Sequence, residues 1–309
     1  MIRSKWNGFG VIILLALLTL PPSAAGDEIQ LFTSQSYEGS GIKAGLRLMG
    51  GGFLVSRNDL YEHIQGMYDI YEDKPFVHSI ESDGFGSLNI GLNFSGELFI
   101  DFTENIGIGV GAGYITHENQ KSIILDIGCG TIVNHNYYPK FSAIPLTFSL
   151  YLGVPISNEI KIVFNVGAGY YLGKMDWVYE ESTNPNMEAN IDWSAKSNAL
   201  GFHGGMDFEY GLTSHLAFVV GAKGRYAKIN GLTGDYNSKT KHPLYGVSTG
   251  TLEDMTFWFG TWENMNTGEE YPKIVFSPMK PSGIAWSDER EGEVNLSGVV
   301  FQAGLKVVF

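Results

Sequence analysis

The sequence is poor in cysteine, in basic residues and in long apolar runs. A single cysteine, Cys129, leaves no partner for an internal disulfide. That excludes a small module held together by disulfides. Basic residues are scarce: 20 Lys and Arg stand against 33 Asp and Glu, for a net charge of −13. No basic patch is on hand to meet phosphate, so nucleic acid is excluded as a partner. The longest apolar run, Val11 to Leu20, is about half the length a membrane-crossing helix needs. It follows Arg3 and Lys5 and precedes Pro21-Pro22-Ser23-Ala24-Ala25, where small residues at Ser23 and Ala25 fit a leader-cleavage site. The expectation is a secretory leader over residues 1–25 rather than a retained anchor. Losing Arg3 and Lys5 with it takes the net charge from −13 to −15. Cys129 is not beside that site, so no lipoprotein anchor is indicated.

Glycine is abundant at 40 residues, aromatics make up 13%, and the dominant pattern is period-two alternation. In residues 88–102, Leu88, Ile90, Leu92, Phe94, Gly96, Leu98, Ile100 and Phe102 share one face of a strand. Asn89, Gly91, Asn93, Ser95, Glu97, Phe99 and Asp101 share the other. In a soluble sandwich the greasy face is core; in a membrane barrel it meets lipid while the polar face lines a lumen.

Eight such segments are legible, at about 41–55, 87–102, 106–117, 141–155, 160–176, 199–211, 216–230 and 294–309. Each is near or above the ten or so residues a tilted membrane strand requires, where soluble strands more often run five or six. The connections are sorted by length. Short turns (103–105, 157–159, 212–215) alternate with long loops at about 56–86, 118–140, 177–198 and 231–293. Short turns at one end and long loops at the other is the outer-membrane pattern, and a sandwich has no reason to produce it.

The last residues, FQAGLKVVF, place Phe301, Ala303, Leu305, Val307 and Phe309 on one face and Gln302, Gly304 and Lys306 on the other. Phe301, Gly304, Leu305, Val307 and Phe309 resemble the terminal signal read by the barrel-assembly machinery. Together with SAIPLTFSLYLGVP (142–155), FNVGAGYYLG (164–173) and residues 200–229, they make the chain from about 41 to 309 resemble the small OmpA-like, OmpX-like and OmpW-like barrels of bacterial outer membranes. The resemblance is one of pattern, not of a signature motif. It implies an all-β fold: a closed, up-and-down antiparallel transmembrane barrel of eight strands. Residues 26–40 are then a short periplasmic lead-in. The fourth loop is long for such a family, so a hairpin of 255–264 with 271–278 could raise the count to ten, although an extracellular hairpin is the preferred reading. The implied location is the cell outer membrane. The implied partners are its lipid and lipopolysaccharide, the assembly machinery and periplasmic chaperones.

With the greasy faces outward, Lys43, Arg47, Glu97, Asp101, Asp207, Glu209, Lys223, Arg225 and Lys306 point inward, with His203 beside them. Five are positive and four negative. An eight-stranded barrel is only wide enough for side chains to fill it, and a buried ion costs several kcal/mol unless paired. The expectation is an internal charge network with Arg47, Glu97, Glu209, Lys223 and Arg225 as members, acting as filler and brace or as the gate of a narrow conduit. Inward Gly107, Gly109, Gly111 and Gly113 leave room for long side chains from neighbouring strands, or for water.

His203, Asp207 and Glu209 spread too far along one strand to make a compact metal site alone. Ser214 and His215 fall in a short turn, at the wrong end for a membrane hydrolase. Neither an enzymatic activity nor a cofactor is therefore expected. Tyr114, Tyr170, Tyr210, Tyr226, Phe102 and Phe309 sit near strand ends on the outward face, as an interfacial girdle does. Acidic residues crowd the first and fourth long loops as solvated faces do, without calcium-loop spacing. Phe257, Trp258, Phe259, Trp262, Tyr271, Phe276 and Trp286 in 231–293 either pack together or present an extracellular recognition surface.

Overall fold

The structure is a computed structural model that describes residues 41–54, 59–72, 74–83, 90–183, 187–243, 246–265, 267–283 and 285–309. The expected leader 1–25, the lead-in 26–40 and Leu88 and Asn89 of the second segment lie outside the described residues.

Fifteen strands and one helix are present among the described residues: β1 (Lys43–Leu54), α1 (Asp59–Glu72), β2 (Ser79–Asp83), β3 (Ile90–Asp101), β4 (Ile106–Glu118), β5 (Lys121–Asp126), β6 (Ile132–Pro155), β7 (Ile160–Thr183), β8 (Met187–Gly211), β9 (Leu216–Ile229), β10 (Thr233–His242), β11 (Gly246–Asn264), β12 (Glu269–Ser277), β13 (Trp286–Glu291), β14 (Val294–Asn295) and β15 (Gly298–Val308). Eight of them, β1, β3, β4, β6, β7, β8, β9 and β15, pair antiparallel in a closed ring, the last strand returning to the first.

The register measures the stagger of that ring. Stepping across each ladder from Lys43 leads through Asp101, Gly107, Tyr151, Asn165, Gly205, Lys223 and Val300 back to β1 at Phe53, ten residues from the start. At about 3.3 Å per residue and about 4.8 Å between strands, that stagger tilts the strands by about 40°. Tilt and strand number are thus mutually consistent, and no edge remains in the ring to recruit another strand.

Turns of the ring sit at one end, and connections carrying further structure at the other. At the turn end, side chains cap tight turns: Thr103 Oγ1 accepts from Asn105 N and Ile106 N, and Ser157 Oγ accepts from Glu159 N and Ile160 N. The opposite end, called the cap end below, departs from the expectation. Most of what reads as loop at 118–140, 177–198 and 231–293 is strand. β6, β7 and β8 run 24, 24 and 25 residues, roughly 80 Å each, far beyond a hydrocarbon layer of about 30 Å. Their upper parts form a wall that β5 extends on one side and β10, β11, β12 and β13 on the other. The hairpin foreseen over 255–264 and 271–278 forms as β11 with β12, but it joins β10 and adds nothing to the ring. In this ring the hairpin does not raise the strand count from eight to ten.

The first long loop holds α1, which the sequence reading missed. Leu60, Ile64 and Ile70 put one apolar face of it down. Arg290 donates to both Asp59 oxygens at 2.5 and 2.6 Å, and Glu293 N donates to the same carboxylate at 2.7 Å. An acid in the first helical turn also suits the helix dipole. Gly66 lets α1 approach β12: a Cβ there would lie 2.6 Å from the Pro272 oxygen.

One apolar core joins ring and cap. Phe53, Ile115, Ala143, Tyr171, Ala227 and Val300 from inside the ring continue into Leu60, Ile64, Trp177, Trp193, Phe257 and Ile274 of the cap. Of the aromatics of 231–293, Phe257, Phe259 and Phe276 belong to this packing, Phe276 lying 4.5 Å from Trp193, ring centre to ring centre; Tyr271 is buried, and Trp258, Trp262 and Trp286 are only partly covered.

Candidate functional site

The interior of the ring is the site. All ten titratable residues foreseen there point inward, and the structure separates them into groups. At the turn end, Arg47 reaches Asp207 at 3.3 Å and Glu209 at 2.5 Å. Lys306 reaches Glu209 and Asp101 at 3.3 Å each. Four of these five residues are under 10% exposed, and Asp101 sits at the edge. The carboxylates gain further donors that sequence reading passed over: Asn165 Nδ2 at 3.2 Å and Gln302 Nε2 at 3.3 Å, both on Asp207. Lys43 lies opposite Asp101 in the ladder.

Higher up, the membership differs from expectation. Glu97 is not ion-paired within 4 Å among the described residues. It accepts from Tyr151 OH and from Ser149 Oγ, the latter at 3.1 Å. Ser149 also meets His203 Nε2 at 3.1 Å. Arg225 turns to the Leu296 carbonyl at 2.9 Å and Asn93 Oδ1 at 3.4 Å, with its guanidinium over the Phe53 ring. Lys223 has neither a hydrogen bond nor an ion pair with another described residue. The neutral partners Ser149, Tyr151, Asn165, Gln302 and Asn93 were missed because only charges were tracked, although alternation marks each as inward.

The glycines of β4 make this packing feasible. A Cβ at Gly107 would collide with Asp101 Oδ1, and one at Gly109 would collide with the Glu97 carboxyl. Long side chains of β3 fill the space the glycines leave. What remains is a cavity of about 50 Å³ bordered by Arg47, Glu97, Tyr151, His203, Lys223 and Arg225. It has room for a few waters, not for a sugar-sized solute. The apolar core closes the ring above it.

The wall is thin at one place. The β4–β6 ladder skips from Ala112–Leu146 to Ile115–Ala143, because Pro145 has no N–H to give. Met49, Ser95, Gly96, Ala112 and Gly113 border both the inner cavity and a recess on the outer surface.

The outer face is oily. Along β6 and the turn after it, Ile144, Leu146, Phe148, Leu150, Leu152, Val154 and Ile156 are each 42–60% exposed. Tyr114, Tyr170, Tyr210, Tyr226, Phe102 and Phe309 are exposed on the same face. Phe301 and Leu305 of the foreseen assembly signal also face out, whereas Gly304 packs against the Leu48 carbonyl. Val307 is partly covered.

The cap carries its own buried polar groups. His63, buried between α1 and β12, accepts from Ile274 N at 3.3 Å and packs edge-on against Trp177. Burial, with Lys273 nearby, pushes it from 6.5 down to about 3. His135 stacks between Tyr71 and Tyr179, hydrogen-bonds the Tyr179 hydroxyl at 2.8 Å and lies 3.7 Å from Glu181. Burial lowers it as well, against the pull of Glu181. Among the described residues, no three His, Cys, Asp or Glu side chains converge as metal ligands would.

No family model matches the sequence, and no curated protein matches it. Among solved structures, a major outer membrane protein from Thermus thermophilus is similar over 87% of this chain and 99% of that one, at 12% identity and a TM-score of 0.34. A superposition that loose fixes neither fold nor role.

Proposed function

We propose that the chain is an outer-membrane β-barrel whose eight ring strands cross the bilayer. Its lumen is braced by the Arg47 network, and its outer mouth is closed by α1 and β10 to β13. Its role is structural, or one of surface interaction through the cap, and not catalysis or ion conduction. The observation that carries this reading is the run of alternate exposed residues from Ile144 to Ile156, repeated around the ring. A soluble protein does not leave apolar surface of that extent in water, and hydrocarbon is the solvent that suits it. The turn end then faces the periplasm, and the wall above the ring stands among lipopolysaccharide. The test is fractionation followed by unheated and heated gel migration. The protein should stay with the outer membrane through a carbonate wash and shift mobility on boiling. Recovery in the soluble periplasmic fraction would sink the reading.

A second reading rests on the wall of β1, β3 and β4, where Met49, Ser95, Gly96, Ala112 and Gly113 border both the inner cavity and the outer recess. Lateral passage of a small hydrophobic solute between lumen and lipid would use the thin wall at Gly96, Ala112 and Gly113. Uptake of such a solute by vesicles containing the protein, lost when Gly113 is replaced by Phe, would support it. Equal uptake by the variant would remove it.

A further inference from the structure

We propose that the cavity inside the ring is a site for a small monovalent anion of halide size, held between Lys223 and Arg225. The two cations lie two residues apart on β9, on the inward face, and both border the cavity. Arg225 is 7% exposed, yet its Nη2 has no partner among the described residues, and neither has Nε of Arg47, which also borders the cavity. Lys223 makes no ion pair with a described residue. The carboxylates that face it, Asp207 and Glu97, are otherwise engaged. Asp207 holds Arg47, Asn165 and Gln302, and Glu97 holds Tyr151 and Ser149.

The balance follows from that accounting. At the turn end Arg47 and Lys306 have their carboxylates, and Lys161 donates to the Glu104 carbonyl. At the cavity, with Arg47 already held by Asp207 and Glu209, Lys223 and Arg225 border the space without an ion pair to a described residue, and Glu97 is the carboxylate among the described lining residues. Like charges two residues apart in a low-dielectric interior repel, and an unpaired buried ion costs several kcal/mol. One anion between them offsets both costs. About 50 Å³ admits a halide and excludes a nucleotide or a sugar. Asn93 and Gln302, also at the border, are neutral groups able to donate to an anion. The site belongs to the interior of the ring and does not depend on what bathes the outer face. Its failure is therefore distinct from a failure of the membrane reading.

The experiment is thermal unfolding of the full chain in detergent, in chloride and in gluconate at equal ionic strength, paired with bromide anomalous scattering from crystals. The midpoint should rise by roughly 3–5 °C as chloride replaces gluconate, and bromide should appear between Lys223 and Arg225. In Lys223→Met the chloride dependence should vanish. That side chain has no hydrogen bond to lose, so the variant should fold; Lys223→Arg should retain the dependence. Equal midpoints in the two salts, or water alone in the cavity of bromide crystals, would overturn the proposal.

Discussion

Arg47 and Asp207 stand 160 residues apart in the chain, and their side chains meet at 3.3 Å inside the ring. The register makes that meeting possible. Arg47 on β1 has Glu97 beside it on β3 and Lys306 beside it on β15, so its reach is across the ring toward β8. It takes Glu209 as well, and Lys306 supports the same carboxylate. Four side chains from three strands are thereby tied before any cap residue is involved.

Breaking this tie should cost far more than replacing it. Arg47→Met takes the paired cation from Asp207 and one of two from Glu209, and should lower stability by about 3–5 kcal/mol. Adding Asp207→Asn and Glu209→Gln to Arg47→Met should recover most of the loss. Urea unfolding in lipid vesicles measures both. A single variant as stable as the parent would show that the network is idle.

The cap depends on Asp59 more than on Arg290. Asp59 is buried and serves three donors, whereas half of the Arg290 side chain is exposed. Asp59→Ala should weaken α1 by about 2 kcal/mol and Arg290→Ala by about 1 kcal/mol. Hydrogen exchange should report faster amides over 59–72 with the ring unchanged.

Acid should loosen the cap. His63 has its folded value pushed below the ordinary 6.5 to about 3, first by burial and then by Lys273. The folded form therefore holds fewer protons than the unfolded one between those limits. Stability is full above about pH 6.5 and falls as pH drops toward 3. Fluorescence of Trp177 and Trp193 should track the opening. His63→Gln should flatten the profile to the slope left by the remaining groups, His135 among them.

The ring strands are legible in the sequence because one face of each is uniformly apolar and the other polar. The tops of β7 and β8 escape that reading for a different reason. Met175, Trp177 and Tyr179 still alternate with Lys174, Asp176 and Glu180, but a membrane strand is expected to end near the bilayer surface. The first half of β11 is exposed on both faces and carries no alternation to read. α1 is hidden by its acids, which mark a loop as readily as a helix whose apolar face is narrow. Of the interior, the charges are legible and their partners are not. Which strands face each other across a ring follows from a stagger of ten residues, and no single segment encodes that.

Outward and projecting positions should respond differently to charge. Leu150→Arg should cost about 2–4 kcal/mol, whereas Val247→Arg, at the exposed start of β11, should cost under about 0.5 kcal/mol. Both residues are about half exposed or more, so burial alone does not distinguish them. Equal costs would mean that both face the same solvent.

The most direct test is spin-label accessibility in vesicles, with Cys129→Ser as background and single labels at Leu146, Leu150 and Lys239. Labels at Leu146 and Leu150 should be open to oxygen and closed to a water-soluble nickel chelate, with Lys239 the reverse. If Leu146 and Leu150 are shielded from both reagents, those side chains lie against protein and the ring does not stand in lipid.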